Sequence, residues 1–296
     1  MQAGVGIQRL HHVMRNALIV SAVILAALGL DLTLFPNDTA KYFSWPIAPP
    51  LTAGTLGAFY LAAFVILVLT LGSGMTWARA RVVLPGGIAF SALAFITTFL
   101  HLDKFNFHAD STTAVVVTWV WTFAYGILTP VLLLALIPQR KMPGDDPVTG
   151  PTPSWVRQAL LAVGALMAGV GVVLYLIPVE MAKIWPWDLP PLSARVLGAW
   201  SIGFGLVMLV ASRQDDRFRV FPSAVGLAAY GLFQLLTVLR FSGDVAWEEP
   251  GAWVYVVFLA ATLAIGLAGA NATRTASPAA APAPQAPASA APTFQP

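Results

Sequence analysis

Two imidazoles and two carboxylates fall within the short run His101-Leu-Asp103-Lys-Phe-Asn-Phe-His108-Ala-Asp110, and all four are residue types that bind zinc. His101 and His108 are seven apart, which fits one helix face, whereas the asparagine and aromatics between them favour a loop. A related stretch later in the chain carries Arg240 and Trp247 at the matching places, so no metal centre is expected here. His11-His12 offers less still.

Charge chemistry has a second set of candidates. Asp31, His101, Arg195 and Arg240 each lie at the edge of a long apolar run, and Asp31 is the only acid inside one. Charged side chains in a bilayer are costly, so they pair or face the bundle interior. One reading is an asymmetric polar site or proton relay in which His101 titrates near neutral pH. The other, which is favoured, is structural: Asp31 stands five residues before Pro36, already at the interface, and pairs with Arg195.

The third set occurs twice. Asp38-Thr-Ala-Lys41 and Glu180-Met-Ala-Lys183 both place an acid one helical turn before a lysine, followed by Trp45 and Trp187. As a functional site, Asp38, Lys41, Trp45, Glu180, Lys183 and Trp187 would form two lips of one external vestibule for an anionic solute or lipid head group. The competing reading is an aromatic belt with snorkelling lysines, common to most membrane proteins, and it is favoured.

Beyond these sets no P-loop, H-E-x-x-H, G-x-S-x-G or dinucleotide fingerprint is present. The chain has no cysteine, which excludes disulfides, thiolate nucleophiles and cysteine-ligated metals. No cofactor is implied, and an enzyme is not expected.

The elements that must position these residues follow from composition. Apolar residues make up 58% of the chain, charged residues 10%, and mean hydropathy is +0.76. Soluble domains carry about 25% charged residues, so this surface is suited to lipid. A net charge of +3 spread over loops makes nucleic acid an unsuitable partner. Eight apolar runs are long enough to cross a bilayer: 17–35, 52–71, 82–100, 114–137, 159–177, 194–211, 220–239 and 252–270. They lack the alternation of barrel strands and must be helices, giving an all-α polytopic membrane bundle with eight transmembrane helices. The first run exceeds an ordinary signal-peptide core and has no small-residue cleavage site, so it is expected to be retained.

Lysines and arginines are divided unequally between the two sides. Eleven fall in the N-terminal arm, the 2–3, 4–5 and 6–7 loops and the C-terminal tail, against five (Lys41, Lys104, Lys183, Arg195 and Arg240) opposite. The positive-inside rule then puts both termini in the cytoplasm of a bacterial inner membrane.

The double occurrence of the lip extends further. With one gap, Pro36/Pro178, Lys41/Lys183, Trp45/Trp187, Pro50/Pro191, Leu56/Leu197 and Gly57-Ala58/Gly198-Ala199 match, and Arg81–Pro85 recurs loosely as Arg219–Pro222. This predicts an internal repeat of four helices. Because four is even, the halves should be parallel, related about the membrane normal. The expected divisions are a first repeat over 1–137, a cytoplasmic linker over 138–155, a second repeat over 156–271 and a disordered Ala/Pro-rich tail over 272–296.

The runs Trp185–Trp200 and Leu100–Phe107 resemble a group of uncharacterised, duplicated bacterial polytopic membrane proteins. The resemblance implies that fold and no activity. Three classes of function follow: a small-solute or lipid transporter, a structural or accessory subunit with a membrane-protein partner, and a membrane-embedded enzyme. A transporter requires a polar-lined cavity at mid-membrane between the halves. An accessory protein requires a dry interface there, and an enzyme requires converging His and Asp side chains.

Overall fold

The computed structural model describes residues 7–72, 74–144, 146 and 149–274. Of the expected disordered tail over 272–296, Ala272 and Thr273 belong instead to the last helix, and the residues from 275 on lie outside the described residues. Within them, all eight predicted spans are helices: α1 (His12–Leu34), α3 (Pro50–Gly72), α4 (Trp77–Leu100), α5 (Thr112–Gln139), α6 (Ser154–Leu176), α8 (Pro191–Ser212), α9 (Arg217–Arg240) and α10 (Pro250–Thr273). Two short helices, α2 (Thr39–Tyr42) and α7 (Pro178–Ala182), form the lips, and 3₁₀ turns follow α4 and α9. The chain is an all-α polytopic bundle.

The helices begin two to five residues earlier than their apolar runs, and three of them, α1, α5 and α9, are started by a polar side-chain cap outside the hydrophobic stretch. Ser111 accepts from Ala114 N at 3.3 Å to start α5, and Asp216 accepts from Phe218 N at 3.0 Å to start α9. Proline ends α1 just before Pro36, while Pro178 opens α7 directly after α6. The helix ends also refine the repeat match: His101 caps α4 where Phe241, not Arg240, caps α9.

Packing sorts the eight helices into two shells. Within the first four spans α1 packs on α3 and α4 on α5; within the last four, α6 packs on α8 and α9 on α10. Across them α3 lies against α9, and α4 against α8. The central four, α3, α4, α8 and α9, are 50–67% buried, whereas α1, α5, α6 and α10 are 22–39% buried and turn leucine and valine outward. Lipid tails are as apolar as leucine, so the choice of neighbour rests on shape rather than hydrophobicity. Glycine supplies that shape where α6 crosses α8. A Cβ on Gly171 would meet Gly198 O at 2.8 Å, and one on Gly205 would meet Gly164 O at 2.7 Å.

The end that carries the segment between α5 and α6, here the linker end, is stitched by polar contacts. Asp146 pairs with Arg81 at 2.5 Å and Arg219 at 3.1 Å, joining the starts of α4 and α9. Buried Arg79 donates to Phe218 O (2.8 Å) and Leu69 O (2.9 Å) and stacks over the Phe218 ring. Gln139, fully buried at the end of α5, accepts from His11 N and donates to Arg9 O, tying in the N-terminal arm.

Asp216 is the hub of this end. It is 4% exposed and accepts from Thr149 N at 2.6 Å, Gly150 N at 3.2 Å and Phe218 N at 3.0 Å. Replacing it with alanine removes a cap and strands these donors, so Asp216→Ala should cost about 2–3 kcal/mol. Asp216→Asn, which keeps an acceptor oxygen, should cost roughly half of that. Thermal unfolding in detergent measures both; an Asp216→Ala midpoint equal to wild type would deny the hub its role.

Candidate functional site

At the opposite end, the lip end, the repeated tryptophans are core residues rather than members of an exposed belt. Trp45 is 1% exposed and packs edge-on against Trp121 (5.1 Å) and Phe43 (4.8 Å), with Phe105 at 5.2 Å. Trp187 is 3% exposed, packs on Trp185 and Tyr255, and donates Nε1 to Thr52 Oγ1 at 2.9 Å. At Trp187 ring packing and a hydrogen bond replace the interfacial water that a belt residue keeps, while Trp45 is held by ring packing alone, its Nε1 buried without a hydrogen-bond partner. Each lip is held by the loop after its third long helix: Asn106 N donates to Ser44 O, and Ala246 N to Pro186 O, both at 2.8 Å.

The acids and lysines of the lips find partners locally. Lys183 pairs with Glu180 at 2.6 Å, with both side chains more than 60% exposed, so the pair adds little stability. Lys41 lies over the Tyr42 ring at 4.9 Å, and a hydrogen bond to that tyrosine raises its pKa above the ordinary value. Asp38 is exposed and precedes α2 without a side-chain cap bond.

The boundary set is partitioned differently from the sequence expectation. Arg195 Nη1 meets His101 Nε2 at 2.7 Å, not Asp31. A guanidinium has no acceptor, so the imidazole accepts at Nε2 and is neutral. Burial first, then the Arg195 charge, lowers the His101 pKa below its ordinary value. Arg240 donates to Thr33 O at 2.5 Å and covers the Phe241 ring. Asp31 forms no ion pair among the described residues. The expected Asp31–Arg195 pair is therefore absent, because Arg195 starts α8 against the end of α4 while Asp31 lies on α1.

The four zinc-type residues do not converge either. His101 faces Arg195, Asp103 pairs with Lys104 at 3.1 Å, and His108 and Asp110 are exposed. Among the described residues no three His, Asp or Glu side chains gather where one ion could reach them.

Between the two sets of four helices lies an aromatic seam. Phe90 of α4 stacks on Trp200 of α8 at 3.7 Å, and Tyr60 meets Trp200 edge-on at 4.7 Å. Phe59 of α3 lies on Tyr230 of α9 at 4.8 Å. Several polar groups near it pair with one another: Tyr60 OH and Tyr125 OH are 2.7 Å apart, and Thr97 Oγ1 donates to Tyr175 OH at 3.2 Å, whereas Trp200 Nε1 and Thr55 Oγ1 are buried without a hydrogen-bond partner. Fully buried Gln234 donates to Thr55 O (3.1 Å) and accepts from Tyr255 OH (3.3 Å). The sequence reading passed over these residues. Gln234 had a legible signal as the only amide side chain inside the eight apolar runs.

Two clefts adjoin the seam: the first is lined by all four helices of the first set and by Trp200, Gly203, Phe204 and Val207 of α8, and the second lies within the second set. The first, about 110 Å³, lies between α1 and α5 and includes Leu25, Phe90, Tyr125, Leu128 and Leu132. The second, about 250 Å³, lies between α6 and α10 beneath the α7 lip, and includes Met167, Trp185, Tyr230, Tyr255 and Phe258. Both walls are predominantly apolar, the kind that stays dry and accepts apolar guests.

Comparison with known protein families, characterised proteins and solved structures finds no match.

Proposed function

We propose that this chain is a non-conducting structural or accessory protein of a bacterial inner membrane, built from two parallel four-helix repeats clamped face to face. The observation that carries this reading is the Phe90–Trp200 stack at 3.7 Å, which fills the place where a transporter needs a polar-lined cavity. The repeat is supported by identical element order in the two sets of four helices and by reciprocal packing, α3 on α9 and α4 on α8. Individual contacts correspond as well. Gly86 approaches Gly203 and Val207, while Gly226 approaches Ile66; Phe90 meets Trp200, while Tyr230 meets Phe59. Arg195 and His101 take the positions that Gly54 and Phe241 hold in the other crossing, where Phe241 would lie 3.5 Å from a Cβ on Gly54. In this reading both termini face the cytoplasm, and the lip lysines are surface residues with local partners rather than parts of a ligand vestibule.

Cysteine accessibility tests it, because the native chain has no cysteine to interfere. Thr55→Cys and Thr97→Cys place a thiol of similar size at each crossing, where both threonines are at most 1% exposed. Neither should react with a membrane-impermeant maleimide in intact vesicles, and both should react after denaturation. Lys104→Cys and Arg213→Cys should label only from the periplasmic and cytoplasmic sides, respectively. Labelling of Thr55→Cys or Thr97→Cys from water would mean that the seam opens, and would favour a transporter.

A further inference from the structure

Arg195 and His101 meet at the lip end of the α4–α8 crossing, where the matching place in the α3–α9 crossing holds uncharged Gly54 and Phe241. Arg195 forms no ion pair among the described residues, so its direct partner is the imidazole, whose Nε2 accepts from Nη1 at 2.7 Å. Both side chains are half-buried, within reach of water. The other charges at this end are matched or turned away. Asp103 and Lys104, on the turn after α4, pair with each other. Arg240, at this end of α9, donates to Thr33 O of α1, and His108 and Asp110 are exposed in the loop before α5. The first turns of α3 and α5 carry no charged residue, and α6 presents only the hydroxyl of Tyr175, hydrogen-bonded to Leu93 O.

We propose that the Arg195–His101 contact is an acid-released clasp: protonation of His101 opens the lip end of the α4–α8 crossing and leaves the α3–α9 crossing shut. The proton binds at Nε2, the same atom that accepts from Arg195, so the hydrogen bond and the proton exclude each other. Protonation leaves two cations in contact, and they separate towards water. Opening stops at the Phe90–Trp200 stack, which lies deeper in the same crossing and carries no charge. The direction of the response follows from the surroundings. Burial first, then the Arg195 charge, holds the His101 pKa below its ordinary value. The clasp is therefore fully made above about pH 6.5 and is lost as pH falls through the lower value of the folded protein. In the orientation proposed above it reads acidity outside the cell, but its chemistry holds in either orientation and does not rest on the structural reading.

The test places nitroxide spin labels on cysteine pairs in the full chain, which has no cysteine of its own, and reads their dipolar broadening in nanodiscs. Leu102→Cys with Pro191→Cys spans the end of α4 and the start of α8; both positions are exposed. Ser242→Cys with Pro50→Cys is the matching pair across α9 and α3. Between pH 7.5 and 5 the first pair should lose broadening, with a midpoint below about pH 6.5, and the second should not change. His101→Gln keeps an acceptor oxygen for Arg195 and does not titrate, so the first pair should then stay broadened at pH 5. His101→Lys carries a permanent cation and should remove the broadening already at pH 7.5. Should His101→Lys not fold, the two pH profiles, with His101 and with Gln in its place, decide by themselves. An unchanged first pair at pH 5 would overturn the proposal, as would the same loss in His101→Gln. Equal losses in both pairs would mean general acid unfolding, which also overturns it.

Discussion

Gly198→Leu should yield no folded protein, whereas Gly169→Ala should be tolerated or raise stability. Both glycines lie in the α6–α8 pair, and sequence alone makes them equivalent small residues in apolar helices. They differ in what surrounds them. A Cβ on Gly198 would meet Gly171 O at 2.7 Å and Tyr175 N at 2.9 Å, backbone atoms that cannot rotate away. The helices would have to separate along their whole crossing, and the reciprocal contacts at Gly164, Gly171 and Gly205 would be lost with it. Overpacking ordinarily costs about 1–3 kcal/mol, and a rigid backbone partner places this case at or above the top of that range. Around Gly169 there is open space, so alanine gains about 0.5–1 kcal/mol from lower backbone entropy in the unfolded chain. Fluorescence-detected size exclusion after heating in detergent reads both. Two variants with similar midpoints would mean that α6 and α8 do not cross as described.

Trp200→Ala is expected to be nearly as damaging, for a different reason. The indole touches Phe59, Tyr60 and Phe90 at centroid distances of 5.8, 4.7 and 3.7 Å, so its loss empties the centre of the seam. In soluble cores such a deletion costs about 3–5 kcal/mol. Here the transfer part is small, because the unfolded reference is already in lipid, and the packing part remains. About 3 kcal/mol is therefore expected, with recovery of more than half by Trp200→Phe, which restores the stack on Phe90. The emptied seam also gives a second readout: Thr97→Cys, shielded in the wild-type background, should become reactive when combined with Trp200→Ala. A small stability change with no gain in reactivity would show that the two sets of four helices are not held together by this contact.

The sequence by itself determined that eight stretches are long and apolar enough to cross a bilayer as helices, though the helices extend two to five residues beyond the starts of those stretches. Nearly uncharged runs of sufficient length must be helical in lipid, and Pro36 and Pro178 mark the ends of two of them; the caps at Ser111 and Asp216 show only in the structure. It also exposed the repeated lips, since the matches around Trp45 and Trp187 depend only on residue identity. Only the tertiary structure decided which four helices occupy the centre. Every face of such helices is apolar, so hydrophobicity carries them into the membrane without selecting their neighbours; backbone approach at Gly86, Gly198 and Gly226 does that, and it is invisible until the surfaces meet. The same limit explains the boundary residues. Arg195 was legible as a charge in need of a partner and Asp31 read as that partner, but packing sets the start of α8 beside the end of α4, where His101 stands. Trp45 and Trp187 read as interfacial because most membrane tryptophans are. Their burial results from loops after α4 and α9 that fold back and hydrogen-bond Ser44 O and Pro186 O, a long-range contact that no local pattern encodes.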